Sequence, residues 1–409
     1  MRDIVSWLED YLSTEIDLMG DKMSLISVFL CDSYFPYGRA YSSRVLNISR
    51  LLQNICDEVI VIADYSTITK SLGEYQTIDG IKYVSLGTES RKYNYFKRNA
   101  AGTNAVARVV NSHIGDDIYI IISAGDIIRY KTIKNRFRLL GNVHIIIECC
   151  EWYDRTSYIL SDFDPRFILF KYRMNHDYFN ETRVIVISRW LEAFFSNNPS
   201  KKVVRIPTIL DTEFTKYATK TGNEKIKIMF AGSMGGDKEL FTELLYALSA
   251  PTIKENYEFH VYGGTEEKLE KCLGKDSRIL QQLNGVVFCH GFVKQEEINA
   301  AYSLSDFSVI FRPDRKSSHA GFPTKLAESM ASGTPVIAND TGDVSLYINH
   351  DNNGYLIKYD RQAIEDCLLG ILNKTENERS EMRKEARKTA EDVFDYRCYI
   401  EQLKSLFKN

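Results

Sequence analysis

Residues 311–340 read FRPDRKSSHAGFPTKLAESMASGTPVIAND, the end of a strand, a loop, a short helix and the next strand. Pro323 suits the first turn of a helix, where its missing N–H would have gone unpaired anyway. Thr324 to Ser332 carry good helix formers, and Gly333 is the stop signal. Leu326 and Met330, four apart, point together toward a core, while Thr324 and Glu328 point to the opposite side. The free N–H groups of Ala320 to Thr324 would then sit at the positive end of a helix, a ready anion site. Lys325 in the first turn is a poor neighbour for that dipole unless an anion lies between them, the first hint of a phosphate. The apolar run Pro335–Ala338 then ends in polar residues at its carboxyl edge, outside which ligands of open α/β sheets bind. Taken alone, the stretch reads equally as an ordinary strand–helix–strand unit with a surface lysine and glutamate.

A chain of 409 residues exceeds what one hydrophobic core organises, so two domains are expected. With 44% apolar and 26% charged residues it has the composition of a globular protein. No apolar run reaches membrane-spanning length and no signal peptide opens the chain, so a cytoplasmic protein is expected. Its eight cysteines are scattered without a C-x-x-C pair, which argues for reduced thiols and against structural zinc. Charge is uneven. Residues 23–208 hold 24 Lys and Arg against 18 Asp and Glu, whereas 209–409 hold 26 against 31. Nucleic acid would want a stronger, contiguous basic footprint. A basic first half suits an anionic lipid surface or a phosphorylated acceptor.

Residues 1–22 read as an added helix with Ile4, Trp7, Leu8, Tyr11 and Leu12 on one stripe and an acidic opposite face, suited to packing on the body or on a second subunit. From Ser24–Cys31 onward, apolar strands alternate with helical segments up to Val203–Ile206. That alternation implies a doubly wound parallel sheet over 23–208. Periodicity lapses in a linker, 209–223, and a second alternation fills 224–393 with strands such as Lys225–Ala231, Tyr257–Tyr262 and Phe307–Phe311. The fold class is therefore α/β with two Rossmann-like domains facing a central cleft, closed by a C-terminal helix over 394–409.

The first strand of the second half ends in AGSMGGDKEL. There Gly232, Gly235 and Gly236 allow close backbone approach, and Lys238 falls just inside the next helix. Neither the dinucleotide fingerprint nor a P-loop is present. Two more strand ends, VYGG (261–264) and CHGF (289–292), carry glycine at the same edge.

The run GFPTKLAESMASGTPVIANDTGDVSLYINHDNNGYLI resembles the signature of glycosyltransferase family 4, retaining transferases of the GT-B fold. AGSMGGDKEL is similar to that family's first donor-domain turn, and SYFPYGRAYSSR to its acceptor loop. The resemblance covers roughly residues 25–360. It implies a retaining transferase that moves a hexosyl or N-acetylhexosaminyl group from a nucleotide sugar, UDP-linked in keeping with the family, to a glycan or lipid-linked acceptor in cell-surface polysaccharide biosynthesis. Lys238 would contact the donor diphosphate and Glu328 the nucleotide ribose. Further donor contacts would be Gly232, Ser233, Gly263, Phe292, Arg312, Gly321, Phe322, Pro323, Thr324 and Lys325. Gly38, Arg39 and Glu151 would meet the acceptor, Glu151 as a polar or proton-accepting group. Two positions depart from the family. Ala320 stands where a second glutamate is usual, and Ser233 where an arginine is usual. The missing charges also keep open a nucleotide-sugar-binding subunit without turnover, and the fold keeps open a sugar-nucleotide epimerase.

Lysine and a helix end can neutralise a departing diphosphate, so no metal and no cofactor are expected. The opposing reading, a metal-dependent transferase, would use Asp162-Phe163-Asp164, which reads instead as a solvated loop before Pro165. His290 and His319 flank the expected cleft as structural residues. Two basic–aromatic stretches, 91–98 and 129–140, suggest peripheral contact with an anionic membrane; in the second, Lys131, Lys134 and Arg138 share a stripe with Ile133 and Phe137 nearby.

Overall fold

Apolar runs long enough to be buried on both faces form two sheets in the computed structural model, which describes residues 23–38, 40–66, 73–87, 95–155, 160–177, 181–213, 215, 225–234 and 238–407. The first sheet holds β1 (Leu25–Phe35), β2 (Glu58–Ser66), β3 (Gln76–Ile78), β4 (Ile81–Ser85), β5 (Asp117–Ser123), β6 (Val143–Cys149), β7 (Arg183–Val186) and β8 (Lys202–Arg205), in the order β3-β4-β2-β1-β5-β6-β7-β8. Its helices are α1 (Ala40–Leu52), α2 (Tyr95–Ser112), α3 (Ile127–Phe137), α4 (Pro165–Tyr172) and α5 (Arg189–Ser196). The second sheet holds β9 (Ile226–Ala231), β10 (Tyr257–Tyr262), β11 (Val287–Gly291), β12 (Phe307–Ile310), β13 (Val336–Asn339) and β14 (Gly354–Ile357), in the order β11-β10-β9-β12-β13-β14. Around it lie α6 (Thr242–Leu248), α7 (Pro251–Asn256), α8 (Glu266–Leu273), α9 (Ile279–Gln282), α10 (Gln295–Leu304), α11 (Lys316–Ala320), α12 (Thr324–Ala331), α13 (Arg361–Leu372) and α14 (Glu376–Val393).

Every pairing is parallel except β3 with β4, an antiparallel hairpin. The doubly wound α/β expectation holds, with that short edge hairpin as the addition. Strand order reverses at β1/β5 in one sheet and at β9/β12 in the other, the crevices where ligands of such sheets bind.

The opening stretch folds nearly as its pattern implies. Leu326 and Met330 are fully buried, and the buried Ser329 hydroxyl lies 2.7 Å from both the Ser308 hydroxyl on β12 and the Thr334 carbonyl, fixing α12 to its sheet. Two details differ. Pro323 is the N-cap of α12, not its first turn, and RKSSHA forms part of a separate helix, α11.

The domains meet through specific groups. The Ser188 hydroxyl at the start of α5 donates to the Ala320 carbonyl at 2.7 Å, and the Arg189 N–H donates to Asp343 at 2.8 Å. The Ser317 N–H donates to Asp154 at 3.1 Å. Behind α14 the chain returns beside the linker, where Leu210 and Tyr396 exchange backbone hydrogen bonds with Phe394 and Leu210. It then packs on the first domain as short turns around α15 (Ile400–Lys404), with Leu403 and Leu406 buried. The final segment is thus three short pieces, broken because Asp395 turns back to Thr212 and Arg397. Among the described residues no helix is long and apolar enough to cross a membrane. Residues 1–22, Arg39, 91–94, Gly235 and Gly236 lie outside those described.

Candidate active site

The β9/β12 switch point brings glycine backbones together at the carboxyl edge. Gly232 follows β9, and Gly263 follows β10 at a φ of 88° that favours glycine. A Cβ on Gly263 would stand 2.5 Å from the Gly232 carbonyl oxygen, so no side chain fits between these strand ends. The resulting floor is bare backbone beside a lysine: a Cβ on Gly232 would lie 3.2 Å from Lys325 Nζ.

Lys325 is not a free cation here. Its ammonium donates to Glu239 Oε1 at 2.6 Å and sits 4.1 Å from the centre of the Phe230 ring. Burial lowers its pKa, and Glu239 opposes that effect. Behind it, Glu328 is half-buried and makes no side-chain hydrogen bond among the described residues. Burial pushes the Glu328 carboxyl up to about 7, with Lys325 pulling the other way.

Arg312, just past β12, has its backbone clamped by Asn339: its N–H donates to Asn339 Oδ1 and its carbonyl accepts from Nδ2, both at 2.8 Å. Its side chain is different. Nε and one terminal nitrogen are buried with no hydrogen-bond partner among the described residues. Burial lowers the Arg312 pKa, and the nearby charges of Glu239 and Glu151 hold it up.

The helix end is less open than the sequence implies. Ala320 lies inside α11, the Gly321 N–H donates to the Ser317 carbonyl, and Pro323 has no N–H. Of that run only Phe322 and Thr324 offer backbone donors without a backbone partner among the described residues. Phe322 is buried against Tyr347 and Phe394, so its ring supports the loop.

Lys238 precedes the helix instead of lying inside it. The Leu240 N–H donates to the Phe311 carbonyl, and α6 starts only at Thr242. Lys238 is exposed and reaches across the cleft to 3.9 Å from Glu151 Oε1. Tyr153 donates to the other Glu151 oxygen at 2.7 Å. Lys238 and Glu151, both expected at the site from the sequence, therefore fall on facing walls of one cleft. Ser233 is exposed beside them, and Phe292 is 72% exposed with Lys268 over its ring.

Below Glu151 a cavity of about 600 Å³ opens at the β1/β5 switch point. Asp32, Glu148 and Tyr41 stand on its first-domain side, Arg166, Arg173 and Phe170 come from α4 and beyond, and Thr324 closes it from the second domain. Glu148 is fully buried, held by Arg44 at 2.7 Å and Tyr41 at 3.2 Å. Burial, with Asp64 and Asp126 adding repulsion, raises the Asp32 carboxyl to about 6. Gly38 is exposed and does not line this cavity; the chain two to six residues after it does.

Asp162 pairs with Arg155 at 3.1 Å, and Asp164 caps α4 and pairs with Arg166 at 2.7 Å. Both carboxylates are engaged by arginine. His319 is held between Asp314 and the Gly342 N–H, and His290 stacks on Tyr262 and bonds His260. Lys131 and Lys134 on α3, and Arg138 at its C-cap, are exposed, but Ile133 and Phe137 are buried in the core, so the apolar side of that stripe is not available to lipid. Sequence reading missed Glu239, Asp32 and the Arg44–Glu148 pair. The position of Asp32 at the end of an apolar run was the one available signal.

Residues 225–374 match the family model described as Glycosyl transferases group 1. No curated protein sequence matches the chain. Among solved structures the chain is similar to sucrose-phosphate synthase from Thermosynechococcus elongatus, at TM-score 0.70 and 16% identity over 94% of this chain and 98% of that one. A glycosyltransferase from Rickettsia africae aligns at TM-score 0.65 and 15% identity, over 94% and 99%. HepE from Anabaena, solved with UDP and glucose, aligns at TM-score 0.64 and 14% identity, over 94% and 99%. Likeness at these identities establishes the fold, the GT-B arrangement of two Rossmann-like domains about a cleft.

Proposed function

We propose that the protein is a retaining glycosyltransferase that moves a hexosyl or N-acetylhexosaminyl group from a nucleotide sugar, with UDP as its nucleotide, to a glycan carried on a lipid, in the assembly of cell-surface polysaccharide. One observation carries the reading: at the β9/β12 reversal, bare glycine backbone, the buried unpaired N–H groups of Arg312 and the cleft-spanning Lys238 converge opposite Glu151 and the acceptor-side cavity.

In this account the diphosphate lies over Gly232 and Ser233, with Lys238 and the backbone N–H of Thr324 donating to it. Glu328 accepts from the ribose hydroxyls, and Gly263 and Phe292 flank the base. As the bond from the anomeric carbon to the diphosphate breaks, negative charge grows on the leaving oxygen. A charged hydrogen bond from Lys238 stabilises it by roughly 1.5–3 kcal/mol, and a helix end by roughly 0.3–1 kcal/mol. Donors aimed at charge that develops in the transition state accelerate the reaction, and they do so here without a metal. On the other wall Glu151 and Asp32 accept hydrogen bonds from the acceptor, and Arg166 and Arg173 at the cavity suit its phosphates. Lys131, Lys134 and Arg138 would add a peripheral contact with an anionic membrane.

A binding subunit without turnover is favoured by a single observation, that Lys325 is already neutralised by Glu239. The first experiment is thermal unfolding against UDP-, GDP- and ADP-sugars. Ligand at 100 times its Kd stabilises by about 2.7 kcal/mol, which for domains of this size raises Tm by roughly 5–10 °C. Protection by none of them contradicts the proposal.

A further inference from the structure

Two side chains at the β9/β12 switch point are left with open hydrogen-bonding positions. Glu239 uses Oε1 on Lys325, 2.6 Å away, and leaves Oε2 buried with no partner among the described residues. Arg312, on whose charge Glu239 acts, leaves Nε and a terminal nitrogen buried with no partner among the described residues. Buried polar groups are nearly always paired, so open ones mark a place completed by something else. An open acceptor beside open donors suits a hydroxyl, which both donates and accepts. Lys325 already balances the Glu239 charge, so what the open positions ask for is one oxygen that donates to Oε2 and can accept from Arg312, which a sugar hydroxyl does.

Ala320 cannot fill this role. Its side chain is a methyl, it is fully buried, and its carbonyl is taken by Ser188 from the other domain. Glu239 is held on two sides, by the ion pair to Lys325 and by the tie from Leu240 to the Phe311 carbonyl. A carboxylate fixed in this way meets its ligand without losing side-chain freedom.

We infer that Glu239, with Arg312 beside it, is the residue that holds hydroxyls of the donor's sugar ring and so sets which sugar is accepted. This rests on the nucleotide-sugar reading above. Glu239 acts as a specificity residue, separate from the groups assigned to the diphosphate.

Glu239→Gln keeps an oxygen for Lys325 and places an amide NH₂ where Oε2 accepts. Calorimetric titration with UDP, UDP-glucose and its 2-, 3-, 4- and 6-deoxy analogues tests the inference. UDP should bind the variant within about twofold of wild type, while UDP-glucose should bind about tenfold more weakly, as loss of a hydrogen bond to a charged group implies. For one deoxy analogue, wild type and variant should bind alike, because the hydroxyl that Glu239 holds is gone. Equal losses for UDP and UDP-glucose would overturn the inference, since Glu239 would then act on the diphosphate through Lys325. So would a tenfold loss repeated with every deoxy analogue. Glu239→Ala, checked for an unchanged unfolding midpoint, should reproduce the Gln pattern. Wild type that binds neither UDP nor UDP-glucose would contradict the donor site itself, an outcome visible without any variant.

Discussion

Glu328 should make the free protein less stable and the nucleotide complex tighter, and Glu328→Gln separates the two effects. In the folded protein its carboxyl is raised to about 7 from an ordinary 4.5. Between those values the folded chain holds a proton that the unfolded chain releases, so this contribution to stability is full below 4.5, falls as pH rises to 7 and is lost above it. At ~1.4 kcal/mol per pH unit the ceiling is about 3 kcal/mol. Solvent reaches the half-buried side chain, which brings the expected figure to about 1–2 kcal/mol. Glutamine removes the ionisation, so the variant should gain on wild type by about that much between pH 5 and pH 8, read as the difference in their unfolding midpoints. Nucleotide binding should move the opposite way, with UDP held roughly tenfold more weakly at pH 8 through loss of a charged acceptor. Wild-type UDP affinity should itself weaken as pH falls through 7. A variant with the wild-type pH slope and wild-type UDP affinity would refute this reasoning, because Glu328 would then be neither strained by burial nor in contact with the ribose.

Lys238→Ala should lower kcat by roughly 10- to 100-fold with little change in unfolding midpoint, since the side chain is exposed and its ion pair long; unchanged kcat would remove it from the chemistry. Gly263→Ala forces a Cβ against the Gly232 carbonyl at positive φ, which should cost at least about 1–3 kcal/mol and abolish nucleotide protection; a Tm like wild type would mean the strand ends can part. Transfer should persist in excess EDTA, whereas strict dependence on Mg²⁺ or Mn²⁺ would return attention to Asp162 and Asp164. Sedimentation with anionic vesicles should fall with salt and with Lys131→Glu, at about 1 kcal/mol per basic residue near the surface; equal partition to neutral vesicles would dispose of the electrostatic contact.

The two sheets were legible because buried parallel strands write themselves as continuous apolar runs, and Ser24–Cys31 or Phe307–Phe311 are too short for a helix and rich in strand formers. The Gln76–Ile78 strand was not, being three residues long with one apolar side chain. RKSSHA hid α11, whose polar residues carry no periodic stripe. In the cleft, what could be read was what stands at strand ends or in the turn and helix that follow them: the glycines, Lys238 and Glu328. Glu239 could not, because its partner Lys325 is 86 residues away and a glutamate beside a lysine looks like solvated surface. Burial hid the rest. Nothing local distinguishes Glu148 from any other glutamate until Arg44 closes over it from 104 positions earlier.

The most direct test of the central claim is the product itself. Purified protein, the nucleotide sugar that protects it best and a panel of lipid-diphosphate glycans should yield a new glycoside, with the nucleoside diphosphate released in equal amount. NMR of the new linkage should show the anomeric configuration of the donor. Tight donor binding with no transfer to any acceptor would contradict the claim of an enzyme, and an inverted anomeric centre would contradict the claim of retention.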